Sequence, residues 1–123
     1  MKKRKVTIVD YNAGNILSVS RAFEACGVEV ELTNDQKKIT QASFLVLPGD
    51  GSFNYATKKL KELEIFQTIK DFCKKGNPML GICLGMQLLH SSSEEFGDNE
   101  GLCLIKGKIK RITDQNNFKC KVP

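Results

Sequence analysis

The 123 residues contain no tryptophan, a single histidine and no Cys-x-x-Cys pair. Each scarcity removes a class of function. No basic stretch carries interleaved aromatic rings on which bases would stack. The formal charge of +5 therefore reads as solvated helix faces and strand ends, and no nucleic-acid partner is expected. The five cysteines, Cys26, Cys73, Cys83, Cys103 and Cys120, are odd in number and lack zinc-site spacing. That speaks against a disulfide scaffold or a metal site. The expectation is reduced thiols, mostly small core residues with one reactive member, and no metal or cofactor. No apolar run approaches the roughly 20 residues of a membrane helix. The basic start ending at Lys5 is followed by Val6-Thr7-Ile8-Val9, too short for a secretory signal and ended by Asp10. A cytoplasmic chain with no membrane partner is expected.

What is present is an alternation of apolar patterns. Val6 to Val9, Phe44 to Leu47 and Met79 to Ile82 are short continuous runs suited to strands buried on both faces. Val28, Val30 and Leu32 alternate with Glu29 and Glu31, as in a half-exposed strand. Ile16, Val19, Ala22, Phe23 and Cys26 recur at helical spacing before Gly27, a natural stop. Leu60 to Cys73 predicts one or two helices broken by Gly76 and Pro78, and Leu84 to Leu89 another. The pattern after Glu95 breaks into short alternating pieces at Leu102, Leu104, Ile109 and Ile112. Strand and helix alternate, so the class is α/β with a mainly parallel sheet flanked by helices. The chain stops at Lys121-Val122-Pro123 within what reads as a sheet segment. A doubly wound domain ordinarily has a further strand and helix, so 1–123 is expected to be one domain that is either unusually small or incomplete at its C-terminus.

In such sheets, sites form beyond the carboxyl ends of the strands. Asp10 to Asn15, Pro48 to Ser52 and Cys83 all fall there. Gly81-Ile82-Cys83-Leu84-Gly85 has the form Gly-x-nucleophile-x-Gly, a nucleophile elbow with cysteine in place of serine. A nucleophile on so tight a strand-to-helix turn leaves no space for side chains two residues either way. At a helix start, unpaired amides favour the thiolate. The bland alternative is a structural cysteine near a glycine-rich turn. Pro48-Gly49-Asp50-Gly51 supplies backbone amides able to approach a ligand closely. With the Leu84 amide they would form an oxyanion hole, although the same four residues also make an ordinary turn. Gln87 lies one turn beyond Cys83 on the same helix face, where its amide could hold a polar substrate. Glu94-Glu95 could hold a substrate ammonium, although acidic pairs are common on loops. His90, the only histidine, lies seven residues after Cys83. On a continuous helix that is roughly 10 Å along the axis, beyond hydrogen-bond reach. It reads as an ordinary helix residue, and the cysteine lacks a visible base.

Gly81-Ile82-Cys83-Leu84-Gly85-Met86-Gln87-Leu88-Leu89 resembles the nucleophile motif of class I glutamine amidotransferases, a flavodoxin-like domain. Further stretches follow in order: Val9-Asp10-Tyr11, Gly14-Asn15, Leu47 to Phe53, Ser93-Glu94-Glu95, and Gly101-Leu102 with Ile105-Lys106-Gly107. Together they resemble the branch of glutaminase subunits that serve imidazole glycerol phosphate synthase. The resemblance implies that Cys83 attacks the side-chain amide of glutamine and forms a glutamyl thioester. It implies an oxyanion hole at the backbone of Gly49, Asp50, Gly51 and Leu84, and glutamine held by Gln87 and Glu95. Ammonia would pass to a (β/α)8-barrel cyclase subunit in a heterodimer serving histidine biosynthesis, with Asn12, Gly14 and Asn15 towards that partner.

Two residues depart from the pattern. Asn12 stands where glycine is usual, and asparagine tolerates a left-handed backbone better than most residues. Asp50 stands where a small apolar residue is common and brings a charge beside the oxyanion turn. The family's catalytic histidine and glutamate lie in a later segment, so these 123 residues are expected to be a truncated glutaminase, inactive alone. Three other readings stay open. One is a paralogue feeding ammonia to a sugar-modifying synthetase for surface polysaccharide. Another is an inactive fragment that only binds a partner. The third is an unrelated cysteine-elbow hydrolase.

Overall fold

The computed structural model of the chain describes residues 4–112. Lys2, Lys3, Cys120 and the sheet segment expected at Lys121-Val122-Pro123 lie outside the described residues. The element order is β1 (Lys5–Val9), α1 (Ile16–Ala25), β2 (Glu29–Thr33), α2 (Gln36–Gln41), β3 (Leu45–Leu47), α3 (Phe53–Glu62), α4 (Phe66–Lys74), β4 (Met79–Gly81), α5 (Leu84–Leu88), β5 (His90–Ser93), β6 (Asn99–Glu100) and β7 (Ile105–Ile109). Four strands form a wholly parallel sheet in the order β2-β1-β3-β4. The last three form a small second sheet, β6-β5-β7, with β5 antiparallel to β6 and parallel to β7.

The period-2 alternation of the central strands sorts their side chains onto two faces. Val6, Ile8 and Val46 face α1 and pack with Val19, Phe23 and Ile82. Val9, Leu45 and Leu47 face the opposite way and join Ile39, Phe53, Leu60, Ile69, Phe72, Leu88 and Leu102 in the main core. On the α1 face an open apolar groove of about 410 Å³ runs between Val19, Ala22, Phe23, Cys26 and Ile82. Leu80 on the neighbouring edge strand β4 is 43 % exposed.

The α/β class and the mainly parallel sheet hold. Three local expectations are corrected. The segment Gln36–Gln41 forms a helix the apolar pattern does not announce, because Ile39 alone among its residues is buried. Its start is fixed by Asp35, whose carboxylate accepts from the Lys38 amide at 3.0 Å. The helix after Cys83 ends at Leu88, and His90 opens strand β5 instead of continuing the helix. Among the described cysteines only Cys73, half-buried, packs against the core, while Cys26, Cys83 and Cys103 are exposed. Small size permits burial of a thiol but does not compel it, and these positions fall on helix ends and turns.

Candidate active site

Three loops leave the carboxyl ends of β1, β3 and β4 and meet. Their contact is dictated by glycines. Cys83 takes φ +55° and ψ −117°, a conformation costly for any residue bearing a Cβ. Its neighbours in the motif have no room for side chains. A Cβ on Gly81 would lie 2.8 Å from the Gly85 carbonyl oxygen, and one on Gly85 would overlap the Leu47 carbonyl oxygen. The bend is closed by the Ile82 amide donating to the Leu47 carbonyl at 3.0 Å and the Gly85 amide donating to the Ile82 carbonyl at 2.9 Å. Cys83 is the N-cap of α5, and its carbonyl accepts from the Met86 and Gln87 amides. The thiol-bearing residue itself is exposed. The sequence expected an exposed cysteine on a strand-to-helix bend, and the structure has that geometry.

The Pro48-Gly49 turn packs directly on this elbow. A Cβ on Gly49 would lie 3.0 Å from both the Gly85 nitrogen and the Leu84 Cβ. Among the described residues, no backbone or side-chain acceptor takes the N–H of Gly49, Asp50, Gly51 or Leu84. Of these, Gly49 is packed against Leu84 and Gly85, whereas nothing lies within 4 Å of a Cβ built on Gly51. Unpaired amides beside an exposed thiol are what stabilising a developing oxyanion requires. Asp50 and Gly51 are exposed, and Gly51 has φ +83°.

The loop after β1 is stacked on the other side of that turn. Asn12 has φ +61°, so the left-handed backbone expected for it is present, and Gly14 has φ +110°. A Cβ on Gly14 would lie 3.2 Å from the Gly49 Cα. Asn12 and Asn15 are exposed. The Asn15 side chain also caps α1, accepting from the Ser18 amide at 3.3 Å.

Gln87 and Glu95 line one open cleft of about 570 Å³ with Ser93, Phe96, Ile109 and Ile112. Cys83 heads the same helix as Gln87 but is not among the lining residues. One Glu95 oxygen lies 3.5 Å from the Phe53 amide, at the start of α3, where the N-cap Ser52 makes no side-chain bond. Glu95 thus ties the second sheet to the segment following the Pro48 turn. Its neighbour Glu94 is engaged elsewhere, accepting from the Arg111 amide at 3.0 Å. His90 is turned back on α5: its Nδ1 lies 3.2 Å from the Met86 carbonyl and 3.3 Å from the Gln87 carbonyl. Both partners are acceptors, so Nδ1 carries the hydrogen and serves as a helix-end donor. No cluster of three or more metal-ligating side chains occurs among the described residues, and none of their helices is long and apolar enough to cross a membrane.

The sequence argument assigned no role to Tyr11. Its ring is 1 % exposed and its hydroxyl donates to the Pro48 carbonyl at 2.6 Å. The signal was available: a tyrosine two residues beyond a buried strand, where its ring can join the core, needs an acceptor for its hydroxyl.

Comparison with known proteins gives one consistent picture. The class I glutamine amidotransferase family model matches residues 7–121. An imidazole glycerol phosphate synthase subunit HisH from Sulfurimonas denitrificans is 50% identical over 120 residues, covering 96% of this chain and 58% of the relative. The HisH 1 subunit of Legionella pneumophila strain Paris is 49% identical over 107 residues, covering 87% and 50%. HisH of Aquifex aeolicus is 45% identical over 106 residues, covering 85% and 51%. The chain therefore spans about half the length of the curated relatives it matches. Among solved structures, a glutamine amidotransferase superposes with a TM-score of 0.70 at 18% identity, covering 85% of this chain and 56% of that one. A protein assigned to peptidase E from Listeria monocytogenes superposes with a TM-score of 0.67 at 16% identity, covering 83% and 63%. Those two likenesses establish the fold.

Proposed function

The chain belongs to the class I glutamine amidotransferase family, and from that membership we propose that it carries the nucleophile half of a glutaminase. The observation that carries this reading is the setting of Cys83. It is exposed at φ +55° between two glycines that admit no Cβ, with the Gly49 turn packed against the same bend.

In the proposed reaction the Cys83 thiolate attacks the carboxamide carbon of glutamine, and the carbonyl electron pair moves onto oxygen. The unpaired amides of the turn from Gly49 to Gly51, with that of Leu84, receive the oxyanion. The C–N bond then breaks as the nitrogen takes up a proton and leaves as ammonia. Water attacks the remaining thioester, returning the thiol and releasing glutamate. Gln87 and Glu95 hold the amino-acid end of glutamine from the cleft they share. The thiol proton needs an acceptor. Among the described residues no hydrogen bond joins the His90 ring to Cys83; its Nδ1 is turned to the end of α5. The resemblance assigns that task to a histidine and glutamate in a segment these 123 residues do not contain.

We propose further that the ammonia serves imidazole glycerol phosphate synthesis, in a heterodimer with a (β/α)8-barrel cyclase subunit. The similarity to the three HisH subunits supports this reading. Asn12, Gly14 and Asn15, on the loop that packs on the Gly49 turn, face that partner. The left-handed backbone of Asn12 accounts for its departure from the glycine pattern without invoking another ammonia acceptor.

The test is covalent. A chloroketone analogue of glutamine is added at mildly alkaline pH, where an unassisted thiol ionises appreciably. Peptide mapping is expected to find the adduct on Cys83, formed as sulfur displaces chloride, and no adduct in Cys83→Ser. Equal modification of exposed Cys26 and Cys103 would remove the basis for a glutamine site at Cys83.

A further inference from the structure

We propose that Tyr11 is a positioning residue for glutamine hydrolysis: its hydroxyl, by holding the Pro48 carbonyl, fixes the direction of the Gly49 amide towards the oxyanion. This deepens the glutaminase reading and rests on it.

The geometry begins with a peptide plane. The chain has no cis peptide bonds among its described residues. In a trans peptide the carbonyl and the following N–H lie in one plane and point in opposite directions. Anchoring the Pro48 carbonyl therefore sets where the Gly49 N–H points. The anchor is a short bond of 2.6 Å from the Tyr11 hydroxyl, reaching across 37 residues of sequence inside the core. Proline adds its own constraint, since its ring fixes φ on the preceding side of that plane.

The turn is otherwise held by shape alone, with glycines where contact is closest. At Gly49 a Cβ would sit 2.6 Å from the Tyr11 hydroxyl oxygen on one side and 3.0 Å from the Gly85 nitrogen on the other. The turn is thus a single layer between the phenol and the elbow, with Gly14 closing a third side. Nothing else among the described residues takes the Gly49, Asp50 or Gly51 amides. Without the phenol's hydrogen bond, the Pro48–Gly49 plane keeps its glycine neighbours but loses the one directional contact that distinguishes its two faces. Burial, and after it the carboxylate of exposed Asp50 in this turn, pushes the Tyr11 phenol well above its ordinary pKa. The hydroxyl is therefore protonated, and a donor, throughout the range in which an enzyme works.

The same junction explains how the loop after β1 reaches the reacting centre. Tyr11 and Gly14 lie on either side of exposed Asn12, so a contact made at Asn12 or Asn15 bears on the two residues that touch the oxyanion turn.

The experiment compares two alkylating reagents on the full 123-residue chain. The chloroketone analogue presents a carbonyl to the oxyanion turn, whereas iodoacetamide needs only an accessible thiolate. In Tyr11→Phe the ring stays and the hydroxyl goes. The expected result is a fall of about tenfold in chloroketone labelling of Cys83, less than the roughly 10²–10³-fold lost when an oxyanion donor is removed outright, because here the donor stays and loses only its direction. Iodoacetamide labelling of Cys83 should change less than about twofold, and 4-aminophenylalanine at position 11, which restores an N–H donor, should recover the chloroketone rate. Equal chloroketone rates in wild type and Tyr11→Phe overturn the proposal. So does a parallel fall with both reagents, or a Tyr11→Phe chain that unfolds and is restored for both reagents together by 4-aminophenylalanine, since each makes the hydroxyl merely structural. Failure of the wild-type chain to take the chloroketone at Cys83 is a different outcome, which removes the glutaminase reading itself and this inference with it.

Discussion

Glycine does two different jobs at single positions of this chain, and mutation separates them. Gly85 has no room: a Cβ would overlap the Leu47 carbonyl oxygen, which already accepts from Ile82. Gly27 has room in every direction but holds φ +76° after α1. Gly85→Ala is expected to destabilise by at least about 2 kcal/mol, because backbone must move to relieve the overlap. Gly27→Ala should cost only about 1 kcal/mol, the ordinary expense of a left-handed backbone for a residue with a Cβ. Denaturant midpoints of the two variants check this, and a Gly85→Ala chain as stable as Gly27→Ala would contradict the packed elbow. At this scale the sequence was most informative where backbone geometry is extreme. The spacing of Gly81, Cys83 and Gly85 announced the bend because no other residue types fit it. It was least informative where a side chain's partner lies far along the chain. The Tyr11 bond to Pro48 and the Glu95 approach to Phe53 span 37 and 42 residues and have no local pattern.

Elements were legible in proportion to their burial. Strands β1 and β3 read directly as apolar runs, because a strand in the middle of a parallel sheet is covered on both faces. Edge strand β4 has the same kind of run but is not buried on both faces, with Leu80 43 % exposed. Helix α2 escaped because it buries one side chain, Ile39. Strand β5 escaped because His90-Ser91-Ser92-Ser93 has no apolar residue, its only buried position being Ser93. That omission extended the preceding helix through His90 and misplaced the only imidazole. Charge also links elements. Lys5 of β1 and Lys38 of α2 both reach Glu31 of β2, at 2.7 and 3.2 Å. The hydrogen bond from Lys5, then that from Lys38, lowers the Glu31 carboxyl below its usual value. A carboxyl lowered on folding contributes stability above its unfolded pKa and loses it as the pH falls through the folded one. Glu31→Gln should therefore be the less stable chain at about pH 7, with the gap closing in acid near pH 3. The gap should be small, since all three side chains meet solvent. Urea midpoints of both chains at the two pH values measure it, and a gap that widens in acid would refute the assignment.

At the scale of the molecule, Cys83 and the Gly49 turn meet beyond the carboxyl ends of β3 and β4, Gln87 and Glu95 line a cleft that does not include Cys83, and His90 Nδ1 is turned to the end of α5. The α/β class followed from the alternation of strands and helices. The second small sheet did not, because its strands are short and mostly polar. Under the proposed glutaminase reading, a thiol and an oxyanion turn without a base can be alkylated yet should not turn over. Glutamate release from glutamine by these 123 residues, with the cyclase subunit present, is expected to stay at the level of Cys83→Ser. Robust Cys83-dependent turnover would show that another group among these residues takes the thiol proton.

The central claim is that the bend at Cys83 is a glutamine site, and substrate protection addresses it most directly. Chloroketone labelling is followed at Cys83, Cys26 and Cys103 with and without L-glutamine. The account predicts that glutamine slows labelling at Cys83 alone, leaving the other two exposed thiols untouched. Labelling at Cys83 that is indifferent to glutamine, or that keeps pace with Cys26 and Cys103, would contradict it.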